Sequence, residues 1–245
     1  VVASCSYEAR KFGVHSAMPM KMALRLCPDA KVVKGDMEAY SRHSRMVTEI
    51  IESEAPLFEK ASIDEFYLDL TGMDRYFGSW KWSKELRQKI IRETGLPISM
   101  GLSINKLVSK VGADVNKPNG EKLVETGREK AFLFPLPISK IPSVGKETYK
   151  KLAFMGVRKI ETLAQIPPRL LEREFGKNGL ALWKKANGID HSPVVPYSEQ
   201  KSISTERTFQ VDTINIGDLK AQLTKMVGIL AFELRARQKL TSCIT

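Results

Sequence analysis

The sequence predicts an α+β protein built from several domains. Helical and strand-like patterns alternate over the first half of the chain. From 135 to 188 the residues favour helix alone, and glycines punctuate the pattern. The chain has 245 residues, of which 42% are hydrophobic and 27% charged, and this length is enough for about two to four small domains. These observations predict a unit of sheet and helix followed by an all-helical unit.

The spacing of apolar residues defines the first elements along the chain. Residues 1–36 alternate short apolar and basic stretches with breaks at Pro19 and Pro28, which predicts a small basic unit. From 36 to 54 the apolar residues recur at helical spacing, and the chain then becomes strand-like as far as Leu70. We expect this helix and this strand to pack against each other.

Two more helices and a strand complete the predicted sheet-containing unit. One helix ends at Gly95 and is followed by a strand from 98 to 102. Its apolar face comprises Trp82, Leu86, Ile90 and Ile91. Either Ser103 or Asn105 then caps a third helix that runs through Asp114. Strands that alternate with helices in this way predict one sheet with a helical layer on one face.

The all-helical unit contains a recognisable turn. The residues IPSVGK at 141–146 precede a short helix, and Met155-Gly156-Val157 follows it. This pattern predicts a hairpin of two helices whose glycine-containing turn exposes backbone N–H groups to a phosphate. The alternative is a plain connection between two helices, without a ligand.

The remaining segments are extended. Residues 189–199 contain two prolines and predict a linker, and 201–209 predict a strand that opens a third unit. Both ends of the chain, at 1–4 and 240–245, also have the pattern of strands. We expect these terminal strands to lack their partners.

Charge and cysteine content restrict the class of protein. The formal net charge of +11 and the isoelectric point near 9.5 favour a polyanionic partner, with nucleic acid ahead of a membrane surface. No apolar run reaches the roughly eighteen residues of a membrane span, and no signal-peptide pattern opens the chain. The three cysteines lie far apart, which predicts a cytoplasmic protein without structural disulfides or a CxxC zinc site.

An acidic pair in SIDEFYLDL at 62–70 is the strongest indication of chemistry. Asp64 and Glu65 interrupt what otherwise reads as a buried strand, and they place negative charge at the rim of a sheet, where divalent cations and phosphates reach it. Neighbouring side chains of a regular strand point to opposite faces, so the two acids converge only if the chain turns or bulges. A solvated acidic strand end is the alternative interpretation.

Two basic motifs add weaker signals. Lys117 begins the turn sequence KPNG, where a lysine side chain is able to meet a triphosphate. Tyr7 and Arg10 are three residues apart, so on a helix they share a face and are able to clamp one phosphate group. Taken singly, each motif is also typical of an ordinary solvated surface.

The order and spacing of these motifs resemble the Y-family DNA polymerases, specifically the DinB, or DNA polymerase IV, branch. The resemblance runs along essentially the whole chain. It is carried by VVASCSYEARKFGVHSAMP at 1–19, SIDEFYLDLT at 62–71, GLSINKLVSKVGADVNKPNG at 101–120 and IPSVGKETYKKLAFMGV at 141–157.

The resemblance implies a multi-domain, right-hand polymerase architecture. Fingers would span 1–36, a palm with sheet and helices 37–126, and an all-helical thumb with the helix-hairpin-helix 127–192. A linker at 193–200 would lead to the start of an α/β little finger at 201–245.

The resemblance also implies roles for individual residues. Asp64 and Glu65 would be the catalytic acids that hold two Mg²⁺ ions, with Asp64 bridging the metals and Glu65 near the primer 3′-hydroxyl. The positions that match the family's triphosphate contacts are Ser4, Tyr7, Arg10 and Lys117. DNA phosphates would be bound, without sequence readout, by Val144, Gly145, Lys146, Lys201 and Arg207.

The implied activity is template-directed DNA synthesis of the translesion, low-fidelity type, in DNA repair and damage tolerance. The small residues Val1, Ala3 and Cys5 match positions that cover the nascent base pair, which implies a roomy site. The partners would be primer–template DNA, dNTPs and, for the full-length protein, a sliding clamp, with the enzyme acting as a monomer.

One departure from the family pattern and two alternatives accompany this interpretation. The family's first catalytic motif, which carries a third metal-binding acid, would lie upstream of Val1. We therefore expect the chain as given to be inactive or nearly so. A non-catalytic DNA-binding module with a structural acidic pair is one alternative, and a nuclease with the same two-metal logic is a less supported one.

Overall fold

The structure, a computed structural model, describes residues 1–75, 78–196, 201–209 and 211–245. The chain divides into two compact units, one of which ends at Pro196 and the other of which follows it. The first unit contains both helices and short strands, and in its described residues the second contains one long helix. The α+β class predicted from the sequence is therefore confirmed.

The first 36 residues form a small core around two short helices, α1 (Tyr7–Lys11) and α2 (Met20–Leu26). Val2 donates a hydrogen bond to the carbonyl of Met18 and accepts one from the N–H of Ala17, each at 2.8 Å. The strand expected at 1–4 is wrong, because these bonds tie the segment to a loop and no strand lies beside it among the described residues. The buried side chains of this core are Val2, Val14, Met18 and Ala23.

Two long helices of the first unit form largely as their sequence patterns predict. Helix α3 (Met37–Glu54) begins where Asp36 Oδ1 accepts a hydrogen bond from the N–H of Ala39, at 3.0 Å. Helix α4 (Ser79–Thr94) ends at Gly95, whose φ of +72° suits a residue without Cβ. The helices bury a shared cluster of Val47, Ile51, Leu86 and Ile90.

The strands make two separate pairs instead of the single sheet that we expected. Strands β1 (Phe58–Lys60) and β2 (Phe66–Leu68) are antiparallel, with Phe58 opposite Leu68. Strands β3 (Met100–Leu102) and β4 (Glu121–Leu123) are parallel, with Met100 opposite Glu121. Each strand is three residues long, and the two pairs are connected through lysine side chains of the helix that follows β3, not through a backbone ladder.

That helix, α5 (Lys106–Val115), lies unusually close to β3. A Cβ atom added at Gly101 would stand 2.0 Å from the carbonyl oxygen of Ser109, so only glycine permits this approach. Asn105, and not Ser103, caps the helix, because its Oδ1 accepts from the N–H of Val108 at 2.9 Å. The apolar face of α5 is buried in the interior of the first unit.

An all-helical part follows, as the sequence predicts. It consists of α6 (Glu129–Leu133), α7 (Lys146–Phe154), α8 (Ile160–Gln165), α9 (Pro168–Phe175) and α10 (Lys177–Ala186). Its core includes the fully buried side chains of Leu133, Ile138, Leu152, Ile160, Leu163 and Leu171. Val108 and Val111 of α5, 0% and 1% exposed, belong to the same core. Helix α5 therefore joins the strands to the helical part.

The segment after α10 is fixed to the start of α5 and to β1, and it is not a free linker. Asp190 Oδ2 accepts from the N–H of Leu107 at 3.0 Å, and Glu59 Oε2 accepts from the N–H of Val195 at 2.8 Å. Lys106 Nζ donates to the same oxygen of Glu59 and to the carbonyl of Pro193. Most of the predicted linker up to 195 is thus docked, and its remainder at 197–200 lies outside the described residues.

The second unit shows helix α11 (Ile216–Ala236), none of whose residues is buried. The strand predicted at 201–209 is wrong, and so is the one at 240–245. Both segments are extended or irregular, and no described strand offers the hydrogen-bond ladder that would make either of them a strand. Within the described parts of the chain, no helix combines the length and apolar character needed to cross a membrane.

The contacts of the docked segment shift the pKa of one of its carboxyl groups. Burial acts to raise the pKa of Asp190, but hydrogen bonds from Ser192 and Leu107 and the charge of Lys106 outweigh it, so the pKa lies below its usual value. A carboxyl whose pKa is lower in the folded than in the unfolded state stabilises the fold above its unfolded pKa. That contribution is lost as the pH falls through the folded-state pKa.

We therefore expect Asp190→Ala to reduce the free energy of unfolding by about 1 kcal/mol at pH 7, because it removes the acceptor of the Leu107 N–H in the first turn of α5. The difference from the wild type should shrink once the pH is below about 4. Urea unfolding followed by circular dichroism at several pH values measures both effects.

The matched control is Asp29→Ala, which removes an exposed acid at the end of α2 and should leave the unfolding midpoint unchanged. A loss in Asp190→Ala that is the same at every pH would show that the charge of the carboxylate is not what holds the segment.

Candidate functional site

Asp64 and Glu65 lie in the turn that connects β1 and β2, not in a strand. Ser62 Oγ accepts hydrogen bonds from the N–H groups of Glu65 at 3.1 Å and Asp64 at 3.3 Å, and it donates to Asp64 Oδ1 at 2.7 Å. The strand predicted to begin at Ser62 begins only at Phe66. In a regular strand the two acids would point to opposite faces. In the turn they do not follow that alternation, so the strand geometry no longer keeps them apart.

A side-chain hydrogen bond attaches the hairpin turn to α3. Ser44, 8% exposed, donates from its Oγ to the carbonyl of Ile63 at 2.5 Å. This bond satisfies a turn carbonyl with a buried side chain of a long helix. Two hydroxyl groups therefore hold the turn of the acidic pair, that of Ser62 within the turn and that of Ser44 on α3.

A lysine of α5 neutralises one of the two acids. Lys110 Nζ lies 2.5 Å from Glu65 Oε1, and the two side chains are 28% and 44% exposed. Burial acts to lower the pKa of Lys110, but the hydrogen bond and the charge of Glu65 outweigh it, so the pKa is raised and the lysine stays charged. Asp64 is exposed and its Oδ1 is held by Ser62.

The donor set suits a hard divalent cation. Two neighbouring carboxylates supply the oxygen ligands that Mg²⁺ prefers, and the turn holds them at an exposed point of the fold. Among the described residues, no three His, Cys, Asp or Glu side chains come close enough together to hold an ion. Two carboxylates are fewer ligands than a divalent ion takes, so the acidic pair by itself does not make up a metal site.

The residues predicted to bind a nucleotide occupy two places. Tyr7 and Arg10 share one exposed face of α1, with the Arg10 guanidinium carbon 5.9 Å from the centre of the Tyr7 ring, as their spacing predicts. Ser4 is exposed just ahead of this helix. Lys117 follows α5, and its Nζ lies 2.6 Å from Asp114 Oδ1. Lys117 thus contacts an acid of its own helix and not the acidic pair.

The helical hairpin offers its amides differently from the prediction. The N–H groups of Val144 and Gly145 donate within the turn, to Ile141 and Ser143, so they are already satisfied. Gly145 is instead the N-cap of α7, and no side chain caps the helix. The uncapped amides begin at Lys146, in the first turn of α7.

The two predicted DNA contacts of the second unit, Lys201 and Arg207, are both exposed. They lie in an extended segment without strand pairing. Their role in DNA binding stays a prediction.

Comparison with known proteins gives consistent matches along the chain. Residues 1–114 match the impB/mucB/samB family, 139–190 match the thumb domain of DNA polymerase iota, and 200–245 match the impB/mucB/samB C-terminal domain. DNA polymerase IV of Shewanella frigidimarina is 39% identical over 240 residues, which cover 98% of this chain and 67% of that protein. The chain belongs to the DinB branch of the Y-family DNA polymerases.

Two further members of the family also match the chain, one in sequence and one in structure. DNA polymerase IV of Dehalococcoides mccartyi strain 195 is 39% identical over 240 residues, covering 98% of this chain. The crystal structure of DinB from Sulfolobus solfataricus superposes with a TM-score of 0.73 at 30% identity, covering 79% of this chain and 58% of that one. The chain spans 62% of the Dehalococcoides polymerase, so it corresponds to part of the length of such relatives.

Sequence reasoning missed three basic residues around the site of this Y-family chain. Lys106 and Lys110 are four apart on α5, and they contact Glu59 and Glu65 of the β1–β2 hairpin. The signal was two lysines at i, i+4 on a helix near an acidic turn. Arg87, 9% exposed, interrupts the apolar face of α4, and a charge in that position signals a buried partner.

The Ser62 turn yields a prediction that does not depend on activity. Ser62→Ala removes the oxygen that accepts from the amides of Asp64 and Glu65. Loss of about 1 kcal/mol per hydrogen bond should speed exchange of these two amides roughly five- to tenfold. Hydrogen–deuterium exchange read by NMR measures it.

Ser53→Ala is the matched control, because Ser53 is an exposed residue of α3 whose Oγ donates to the carbonyl of Ile50 in the same helix. It should leave exchange in the hairpin unchanged. Equal exchange of Asp64 and Glu65 in wild type and Ser62→Ala would mean that Ser62 does not hold the turn.

Proposed function

We propose that this chain carries most of a template-directed DNA polymerase of the translesion, low-fidelity type, which joins dNTPs to a primer 3′-hydroxyl in DNA repair and damage tolerance. The observation that carries the proposal is the pair Asp64 and Glu65 at an exposed hairpin turn, held by Ser62, Ser44 and Lys110. A solvated acidic strand end would not need three separate restraints. Membership of the DinB branch supports the same reaction class.

Asp64 and Glu65 are proposed to hold two Mg²⁺ ions together with ligands from the nucleotide and the rest of the full-length protein. Bound divalent ions help deprotonate an attacking hydroxyl and stabilise a leaving pyrophosphate. Asp64 would bridge the ions, and Glu65 would lie near the primer 3′-hydroxyl. Lys110 holds Glu65 in place through a 2.5 Å ion pair, so the carboxylate is positioned as an oxygen ligand.

Four residues are proposed to bind the triphosphate of the incoming dNTP. Tyr7 and Arg10 present a hydroxyl and a guanidinium from one face of α1, and Ser4 lies just before it. Lys117 would exchange its bond to Asp114 for the phosphate, which carries more negative charge than one carboxylate. These donors would orient the nucleotide and offset its charge.

The domain assignment remains a proposal on the same basis. Fingers at 1–36 and the beginning of a little finger from 201 are supported by the separate hydrophobic cluster within 1–36 and by the break after Pro196. The palm at 37–126 and the thumb at 127–192 share a core through Val108, Val111 and Val124, so their boundary is supported only by the change from mixed strands and helices to helices. The small residues Val1, Ala3 and Cys5 in the fingers leave room around the nascent base pair.

Primer–template DNA is the proposed macromolecular partner. The first turn of α7 offers uncapped amides beside Lys146, and Lys201 and Arg207 add charge in the second unit. The net charge of +11 supports a polyanion. We further propose that the protein acts as a monomer in the cytoplasm, where its three free cysteines stay reduced, and that the full-length protein uses a sliding clamp.

Asp64→Asn tests the reaction in the full-length gene product. With primed template, Mg²⁺ and all four dNTPs, extension should fall by roughly 10²–10³-fold or more, because a charge that stabilises the transition state is lost. DNA affinity should be unchanged. Asp69→Asn is the control, since it removes an acid from the other end of β2, where Asp69 bonds to Thr71.

Two outcomes would contradict the proposal. Normal DNA binding without any extension by the unmutated protein, in Mg²⁺ or Mn²⁺, would favour a non-catalytic DNA-binding module. Shortened primers that depend on Asp64 would favour a nuclease.

Lys146→Ala tests the DNA contact of the hairpin. Loss of one phosphate contact should lower the slope of log Kd against log salt concentration by about 0.9, equally for unrelated DNA sequences. Lys81→Ala, which removes a 78% exposed lysine of α4, should leave the slope unchanged. Fluorescence anisotropy across a salt series reads both, and an unaltered slope in Lys146→Ala would remove Lys146 from the DNA interface.

A further inference from the structure

Arg87 is a buried cation with an unusual number of partners. Its side chain is 10% exposed, and it lies on α4 within the apolar face of the helix. Every nitrogen of the guanidinium donates a hydrogen bond. The acceptors are the carbonyl of Ile98 at 2.8 Å, Glu121 Oε1 at 2.8 Å, and the carbonyl and Oδ1 of Asn119 at 2.7 and 2.8 Å.

These acceptors surround the turn that carries Lys117. Asn119 lies two residues beyond Lys117, and Glu121 begins β4 directly after the turn. Ile98 lies in the segment that leads into β3, the parallel partner of β4. One side chain therefore connects a helix, the approach to one strand, the turn and the start of the other strand.

The turn has an unusual backbone that requires such support. Asn119 has a φ of +53°, in the left-handed region. A Cβ atom at Gly120 would stand 2.0 Å from the carbonyl oxygen of Asn116, so the chain passes itself closely. Asn116 Nδ2 also donates to the carbonyl of Glu121 at 2.7 Å. The conformation of the turn depends on side-chain hydrogen bonds from outside it.

Stability alone is a weak reason for this arrangement. Burying an ion pair often contributes no more than well-packed apolar residues would. A guanidinium fork does, however, hold several acceptors at fixed distances and angles, which an apolar side chain does not. The arrangement therefore specifies geometry, and the turn that it holds begins with Lys117, whose side chain is 45% exposed.

We propose that Arg87 is a positioning residue for nucleotide binding, which fixes the 117–120 turn so that Lys117 meets the dNTP phosphates. The inference rests on the proposed role of Lys117. Arg87 itself does not contact the nucleotide; it acts through Asn119 and Glu121. Loss of the fork lets the turn relax, and the ammonium then occupies the phosphate-binding position for a smaller fraction of the time.

Arg87→Lys in the full-length gene product is the first test, because it keeps the charge and loses the fork. Steady-state incorporation of a single nucleotide should show a KM for dNTP that is roughly tenfold higher, with kcat and the Kd for DNA changed less than about twofold. Arg92→Lys, an exposed arginine five residues along α4, should leave all three constants unchanged.

Coupling to Lys117 separates positioning from a general loss of structure. Lys117→Met should raise the KM for dNTP, and in that background Arg87→Lys should add almost nothing. If Arg87→Lys raises the KM by the same factor with and without Lys117, the inference is overturned. If Lys117→Met leaves the KM unchanged, it is the proposed role of Lys117 that fails, and the inference fails with it.

A second variant covers the case in which Arg87→Lys does not fold. Asn119→Gly tolerates the positive φ and removes only the Oδ1 acceptor, while Arg87 keeps its other bonds. We expect an unchanged melting temperature and a KM for dNTP about threefold higher. An unchanged KM in this folded variant would overturn the inference.

Discussion

The burial of α5 is the constraint on which the rest of the first unit depends. Val108 and Val111 belong to the core of the helical part, while Gly101 lets the same helix lie against β3. Apolar burial fixes the axis and the rotation of α5 together. The neighbours of its polar face, its beginning and its end are thereby fixed.

Three features follow from that placement. The beginning of α5 meets Asp190 of the docked segment, its polar face directs Lys106 and Lys110 toward the β1–β2 hairpin, and its end delivers Lys117 to the turn. Partly exposed ion pairs of this kind contribute only about 0–1 kcal/mol each. Their main effect is therefore on geometry, since they connect two strand pairs that share no backbone ladder.

Local signals allowed much of this fold to be predicted from the sequence. The helical spacing from 36 to 54, the glycine at 95 and the IPSVGK turn each act within a few residues, and the corresponding helix boundaries are confirmed. The strand at 201–209 was wrong because a strand is defined by a partner, and its own residues do not reveal whether that partner is present. Strand-like composition records only a preference for extended backbone.

The acidic residues of the candidate site were singled out from the sequence, but the residues that fix the surrounding structure were not. Asp64 and Glu65 stand out because charge breaks an apolar pattern, whereas Ser44 acts across 19 residues of sequence and Arg87 across 11 to 34. No periodicity connects such distant positions. Their roles arise from tertiary packing, which a single sequence does not encode in any short window.

The uncapped start of α7 has a consequence for tolerance to mutation. Its hydrogen-bond donors belong to the main chain, so they survive almost any exchange of side chains, and only proline or a reshaped turn would remove them. The acidic hairpin is the opposite case, because each carboxylate is supplied by one residue. Sequence drift should therefore be accepted readily at the start of α7, where the donors are main-chain amides, and hardly at all at the acidic hairpin, where each charge comes from a single side chain.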